Sequence, residues 1–327
     1  MESVLSCMVS DDIGHGATAR RFVSAISEYL GSAGGVAVRE YGRAIDLVFR
    51  AMELSPGQKV VLSPLAPAIY HDVMTARGLV PLLADVDLAN GCLTPAEVEK
   101  LMGEQPSLLV VTSPLGFLPD MQGLVELGIP MVEDISTSVG GNIGERKAGS
   151  FGQYVIVSLE AENIVTSGGG AVVLAASRRE LGSLRSLAAD LPPSVLLPDL
   201  NAALALIQIG AIEQYFQRRK EIAQIFTQSL AKTRHKGLIQ GGEGDNTWYS
   251  FPVLMASGLR ESVQYARKKG IETIPAFQDT IMARSDFGEQ KLPNARALLL
   301  RCLLFPLYPT LGKQNVALIA KVLSTLP

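Results

Sequence analysis

Ile129-Pro130-Met131-Val132-Glu133-Asp134 decides the fold. A short apolar run that delivers two acids to its end reads as a buried strand. Its carboxyl end is where open α/β sheets place their ligands. The residues that follow alternate between turn and strand signals. Ser136-Thr137-Ser138-Val139-Gly140-Gly141 and Gly149-Ser150-Phe151-Gly152 are turn-rich, and Tyr154-Val155-Ile156-Val157-Ser158 is a second apolar strand. Gly168-Gly169-Gly170 then precedes a third strand at 170–175. The connection from Ser158 to Gly170 is too short for a crossover helix, so that strand is expected to run antiparallel to its predecessor.

The same alternation extends toward the N-terminus. Continuous β-rich runs at 59–62, 80–84 and 108–111 suit strands covered on both faces, and helix-compatible stretches lie at 43–53, 68–77, 94–102 and 121–127. Thr94-Pro95-Ala96-Glu97 has a threonine cap, a first-turn proline and a glutamate three residues after the cap. Together these predict an α/β fold, a mostly parallel sheet flanked by helices. A helical region spans 199–231, and we place a domain boundary inside it near Glu213. Residues 1–213 form the large domain. Residues 214–327 form a smaller α+β domain, with a strand-like stretch at 247–254 and a terminal helix at 315–326.

Composition narrows the function. The chain has 327 residues, 47% hydrophobic and 19% charged, enough for a large core. A net charge of −3 with 6% aromatic residues gives no electrostatic or stacking case for nucleic acid. No uncharged apolar run approaches the roughly 20 residues that span a bilayer. The start, Met1 to Cys7, lacks the basic end and apolar run of a signal peptide. Cys7, Cys92 and Cys302 are scattered, which fits reduced thiols and a cytoplasmic location. His15, His71 and His235 have no ligand spacing, so no metal is expected.

The order of these segments resembles the DegT/DnrJ/StrS aminotransferases, enzymes that act mostly on nucleotide-linked keto sugars through pyridoxal phosphate. Further landmarks are similar: Ser55-Pro56-Gly57-Gln58-Lys59-Val60, Asp85-Val86-Asp87, Leu200-Asn201-Ala202-Ala203-Leu204 with Gln208, and Leu304-Phe305-Pro306-Leu307-Tyr308-Pro309. The resemblance implies a fold-type I architecture with a seven-stranded sheet and a homodimer. It also implies cofactor roles. Asp134 would pair with the protonated pyridine nitrogen; a turn cap over Ser136 and Thr137 is its bland alternative. Ser158 would donate to the cofactor phosphate, or is an ordinary strand-end serine. Thr137 stands where the family has a glutamine near that aspartate. Gly42 and Arg43, opening a helix after Val36-Ala37-Val38, would offer N–H groups and a guanidinium to the phosphate, unless Arg43 is simply a solvated helix residue.

The chain departs from the family at the reactive centre. The family lysine that holds pyridoxal phosphate falls at Asn163 counting from Ser158, and at Glu162 counting from the glycines; 159–169 contains no lysine. The aromatic that stacks on the ring falls near Pro67, and the connection 187–199 is short, reading Ser194-Val195-Leu196 in place of Asn-Tyr-Arg. Three readings follow. The favoured one is a homologue that does not transaminate and binds a phosphorylated ligand, a nucleotide sugar or a partner. The second is a lysine-independent enzyme using pyridoxamine phosphate, with Glu162 as base. The third is an aminotransferase that recruits Lys147.

Overall fold

Unbroken runs of branched and aliphatic residues form the strands of one large sheet. The computed structural model describes residues 2–9, 13–256, 258–284 and 291–327. Helices α1 (Glu2–Val9) and α2 (Ala17–Leu30) precede β1 (Gly34–Val38). Then follow α3 (Tyr41–Ala51), β2 (Lys59–Leu62), α4 (Ile69–Arg77), β3 (Val80–Leu83), α5 (Pro95–Glu99), β4 (Leu108–Thr112), α6 (Met121–Glu126) and β5 (Met131–Asp134). A small hairpin, β6 (Asn142–Ile143) and β7 (Arg146–Lys147), leads to β8 (Tyr154–Ser158), β9 (Ala171–Ala175) and α7 (Arg178–Ala189). The seven-stranded sheet has the order β1-β9-β8-β5-β4-β2-β3. Only β9 runs against the rest, pairing antiparallel with both β1 and β8. This is the short-connection strand, and its direction is the one its sequence requires.

Local chemistry sets the element ends. The strand expected at 129–132 begins at Met131, because Pro130 has no N–H for the ladder, although its carbonyl still accepts from Leu109 N at 2.9 Å. Thr94 Oγ1 accepts from Glu97 N at 3.3 Å and starts α5, which stops at Glu99 rather than 102. The turn into β9 needs glycine. Gly170 has φ +99°, and a Cβ there would lie 2.6 Å from Leu197 Cδ1 and 2.8 Å from Val38 O. The helical stretch 199–231 divides into α8 (Asp199–Gly210) and α9 (Ile212–Leu230), with the break at Ala211, just before the boundary expected near Glu213.

Beyond α9 lie β10 (Lys236–Gly237), β11 (Phe251–Leu254), α10 (Leu259–Lys268), β12 (Ile274–Pro275), α11 (Ile281–Arg284), α12 (Pro293–Arg301), β13 (Cys302–Phe305) and α13 (Lys313–Leu323). The four strands form an antiparallel sheet in the order β10-β11-β13-β12. Phe226, Phe251, Phe305, Val316 and Ile319 belong to its own hydrophobic core. Among the described residues no helix is long and apolar enough to cross a membrane.

The packing of α2 on α8 depends on a carboxylate. Asp199, 4% exposed, accepts from the N–H groups of Gly16 (2.8 Å), Thr18 (2.9 Å) and Ala19 (2.9 Å). It therefore caps a helix that starts some 180 residues earlier in the chain. Replacing it strips three donors at once. Asp199→Ala is expected to lower stability by about 2 kcal/mol. Urea unfolding should show this as a lower midpoint with an unchanged slope.

Candidate active-site cleft

The carboxyl ends of β4, β5 and β8 lie side by side, with Thr112 opposite Asp134 and Asp134 opposite Ile156. Strand alternation sends Glu133 and Asp134 to opposite faces. Glu133, 3% exposed, accepts from Gly149 N (2.9 Å), Phe151 N (2.6 Å) and Gly152 N (2.7 Å). Burial raises its pKa against the pull of these three N–H groups. Its work is to pin the glycine turn at 149–152.

Asp134, 4% exposed, is enclosed by the chain itself. One carboxylate oxygen accepts from Ser136 N (3.0 Å) and Ser136 Oγ (2.5 Å). The other accepts from the hydroxyls of Tyr70 (2.7 Å) and Tyr41. The two tyrosine rings meet edge to face at 6.0 Å between centroids. Burial first, and the charge of Asp134 second, push both tyrosine hydroxyls well above their ordinary pKa. They stay protonated and keep donating.

Ser136 also ties Ser158 into this cluster, since its Oγ accepts from Ser158 N at 2.8 Å. The Ser158 hydroxyl serves its own turn, accepting from Glu160 N at 3.4 Å. Asn163 Nδ2 donates to the Ser158 carbonyl at 3.1 Å. Thr137 faces away from the carboxylate: its hydroxyl donates to Ser113 O and its carbonyl accepts from Thr247 Oγ1 at 2.7 Å. Glu162 is exposed, and its negative charge adds to burial in raising the Tyr249 pKa.

The segment carrying Thr247 and Tyr249 is held over the edge by Arg219. Its guanidinium donates to the carbonyls of Trp248 (2.9 Å), Tyr249 (2.9 Å) and Leu307 (3.0 Å). Burial lowers its pKa to about 10.

Gly42 and Arg43 lie in the first turn of α3, with Gly42 packed against Ile69. Arg43 is half-exposed and pairs with Asp46 at 3.6 Å. Both line a cavity of about 240 Å³ shared with Glu40 and Asp46, two carboxylates that oppose a phosphate. Lys147 Nζ lies 3.5 Å from Glu213 Oε1 and 4.0 Å from the centre of the Tyr29 ring. The Asp134 contact with Ser136 is the turn cap that the sequence offered as the alternative to a cofactor role, whereas Tyr41 and Tyr70 had no part in that reading. The one available signal was a tyrosine directly before the helix-opening Gly42.

These residues do not fit pyridoxal phosphate as arranged. An ionised carboxylate offers about four lone-pair positions, and Asp134 fills that number with its own neighbours, leaving none for a pyridinium N–H. Near Pro67, where the ring-stacking aromatic would stand, the backbone bridges to Thr280. Residues 159–169 offer no amine. Among the described residues no group of three or more histidine, cysteine or acidic side chains could hold a metal ion.

The chain resembles enzymes of known reaction. It is 28% identical over 159 residues to an L-glutamine:scyllo-inosose aminotransferase from Streptomyces griseus, covering 47% of this chain and 38% of that protein. It is 23% identical to a dTDP-4-dehydro-2,3,6-trideoxy-D-glucose 4-aminotransferase from Saccharopolyspora spinosa, covering 98% and 92%. The crystal structure of the aminotransferase TlmJ from Streptoalloteichus hindustanus superposes with a TM-score of 0.91 at 23% identity, covering 98% and 93%. A GDP-4-keto-6-deoxymannose-3-dehydratase with a trapped PLP-glutamate geminal diamine superposes at 0.89 with 14% identity, covering 98% and 96%. Residues 1–324 match a single family over almost the whole chain, and the protein belongs to the DegT/DnrJ/EryC1/StrS aminotransferase family.

Proposed function

We propose that this chain is a member of its family that does not transaminate and that binds a ligand or partner, working as a homodimer. The observation that carries the reading is the shell around Asp134. Tyr41, Tyr70 and Ser136 supply the donors that a pyridinium would have to replace. Admitting the cofactor would mean breaking buried, charge-assisted hydrogen bonds, and no lysine at 159–169 is there to hold it afterwards. The relatives act on nucleotide-linked sugars and cyclitol ketones by their names, so a phosphorylated or sugar-like small molecule is the ligand class we assign.

The dimer has a candidate surface. Leu5, Met8 and Val9 on α1, and Leu204 and Ile207 on α8, are exposed apolar side chains on two helices that touch. An exposed apolar face of this kind suits a two-fold interface.

The protein should show no saturable cofactor absorbance with pyridoxal phosphate, and borohydride treatment should leave no single stoichiometrically labelled lysine. Labelling at Lys147, or a saturable spectrum with pyridoxamine phosphate alone, would overturn the reading in favour of an active enzyme.

The tyrosine shell makes a pH signature. Above pH 10 the unfolded tyrosines lose protons while Tyr41 and Tyr70, with raised pKa values, keep theirs. The native state then binds more protons, so stability falls with rising pH, by up to about 1.4 kcal/mol per pH unit for each tyrosine. Tyr41→Phe with Tyr70→Phe should flatten this alkaline slope and lower stability at pH 7 by about 1–3 kcal/mol per hydroxyl. Equal slopes in urea titrations of the two proteins between pH 9 and 11 would remove the shell from the explanation. Sedimentation should find a dimer that Ile207→Glu converts to monomer.

A further inference from the structure

The space between α2 and α7, along the outer edge of β1, belongs to no site described above. β1 ends the sheet, with β9 on one side only. On its free side the short connection before α8 begins to pair: Arg39 N donates to Val195 O at 2.8 Å, and Leu197 N to Ala37 O at 3.1 Å. An antiparallel ladder would next return the Leu197 carbonyl to the N–H of Ala37. That carbonyl meets His15 Nδ1 instead, at 3.0 Å, and Pro198 leads the chain away into α8. Ala37 is 2% exposed, and among the described residues its outward N–H has no acceptor. A buried backbone N–H without a partner is rare.

A second donor is stranded beside it. Ser27 on α2 is 7% exposed, and its hydroxyl has no partner. Ala37 and Ser27 both line a cavity of about 680 Å³, within the roughly 300–1,000 Å³ of small-molecule sites. Arg20, Arg185, Glu28 and Ser32 also line it. Neither guanidinium has an ion pair or hydrogen bond among the described residues. Two guanidiniums and one carboxylate leave the lining with one positive charge. Arg20 and Glu28 stand eight residues apart on α2, about 12 Å along its axis. The Ser32 hydroxyl is unpartnered as well.

We propose that this cavity binds a sugar-sized organic anion. Its carboxylate or phosphate is held by Arg20, Arg185 and the N–H of Ala37, and its hydroxyl or amino groups face Ser27, Ser32 and Glu28. Donors without acceptors, a net charge of one sign and a carboxylate at the far end select an anionic head with a hydrogen-bonding tail. The inference gives the non-transaminating reading a ligand, but it uses none of the Asp134 contacts, so the two stand or fall separately.

The test is calorimetric titration of the full chain with four probes: gluconate, glucose 6-phosphate, uncharged glucose and inorganic phosphate. Gluconate or glucose 6-phosphate should bind at least about tenfold more tightly than glucose, a difference of about 1.4 kcal/mol. Arg20→Ala and Arg185→Ala, both at exposed positions that leave the fold intact, should each weaken binding several-fold. Ser27→Val should weaken it too, by filling the floor. Arg260→Ala, at an exposed arginine on α10 outside the cavity, should leave it unchanged. No binding of either organic anion at 10 mM overturns the proposal. So does binding that the Arg20 and Arg185 variants do not alter, or binding that Arg260→Ala weakens equally. Inorganic phosphate binding as tightly as the organic anions would show an adventitious ion only, and would overturn it as well.

Discussion

A carboxylate buried at the end of a central strand must be given donors, and Asp134 receives them from three separate parts of the chain. Ser136 comes from its own turn, Tyr70 from α4 and Tyr41 from the start of α3. Each donor fixes the position of its element. With Tyr41 and Tyr70 bound to one oxygen, the first turns of α3 and α4 are drawn over the carboxyl edge, and Phe49 packs against Tyr70 behind them. Losing either hydroxyl would leave a buried charge short of partners, a costlier state than an apolar core. The shell is therefore a structural constraint first. The proposed function rests on the same contacts, because they occupy the acceptor positions a cofactor ring would need.

The closure reaches the C-terminal part of the chain through backbone groups. Thr247 donates from its hydroxyl to Thr137 O at 2.7 Å and from its N–H to Gly116 O at 3.2 Å. Gly116 has to be glycine here, since a Cβ would lie 2.4 Å from Thr247 Oγ1. Arg219 then fastens the same segment to α9 through the carbonyls of Trp248 and Tyr249, with a third contact to Leu307 O. A cation held by carbonyl dipoles alone is only partly compensated for its desolvation, which is why its pKa falls to about 10. That desolvated charge is spent on holding the segment over the edge, where the charge of Glu162 adds to burial in raising the Tyr249 pKa.

Much of this was legible in the residues. Unbroken apolar runs named the strands, the short span from Ser158 to Gly170 named the antiparallel one, and Thr94-Pro95 named a helix start, because each signal is local. The position of Asp134 was legible for the same reason. So was its turn contact with Ser136, but its tyrosine partners were not: Tyr70 lies 64 residues away in sequence and Tyr41 lies 93, and no periodicity links a tyrosine to a distant carboxylate. Asp199 hid its role in the same way, as a helix-opening acid that caps a different helix. Arg43 is the opposite case. Its partner Asp46 sits three residues on, on the same helix face, so a local ion pair was already written beside the expected phosphate contact.

That pairing bears on how charge is distributed over the molecule. At the start of α3 the guanidinium of Arg43 faces Glu40 and Asp46, and Arg77 adds a second bond to Asp46 at 2.8 Å, so the positive charges there are answered by the protein. Lys147 is answered likewise by Glu213 and by the face of Tyr29. Arg20 and Arg185 stand apart from this pattern: they flank the unpaired edge of β1, and although Glu28 lines the same cavity neither makes an ion pair among the described residues. An arginine already satisfied by carboxylates gains little from a further anion, whereas one facing only water gains the full charge-assisted contact. By that criterion the proposed anion site belongs less to the carboxyl edge around Asp134 than to the margin of the sheet. There the covering segment stops at Leu197, and the N–H of Ala37 is left facing the gap.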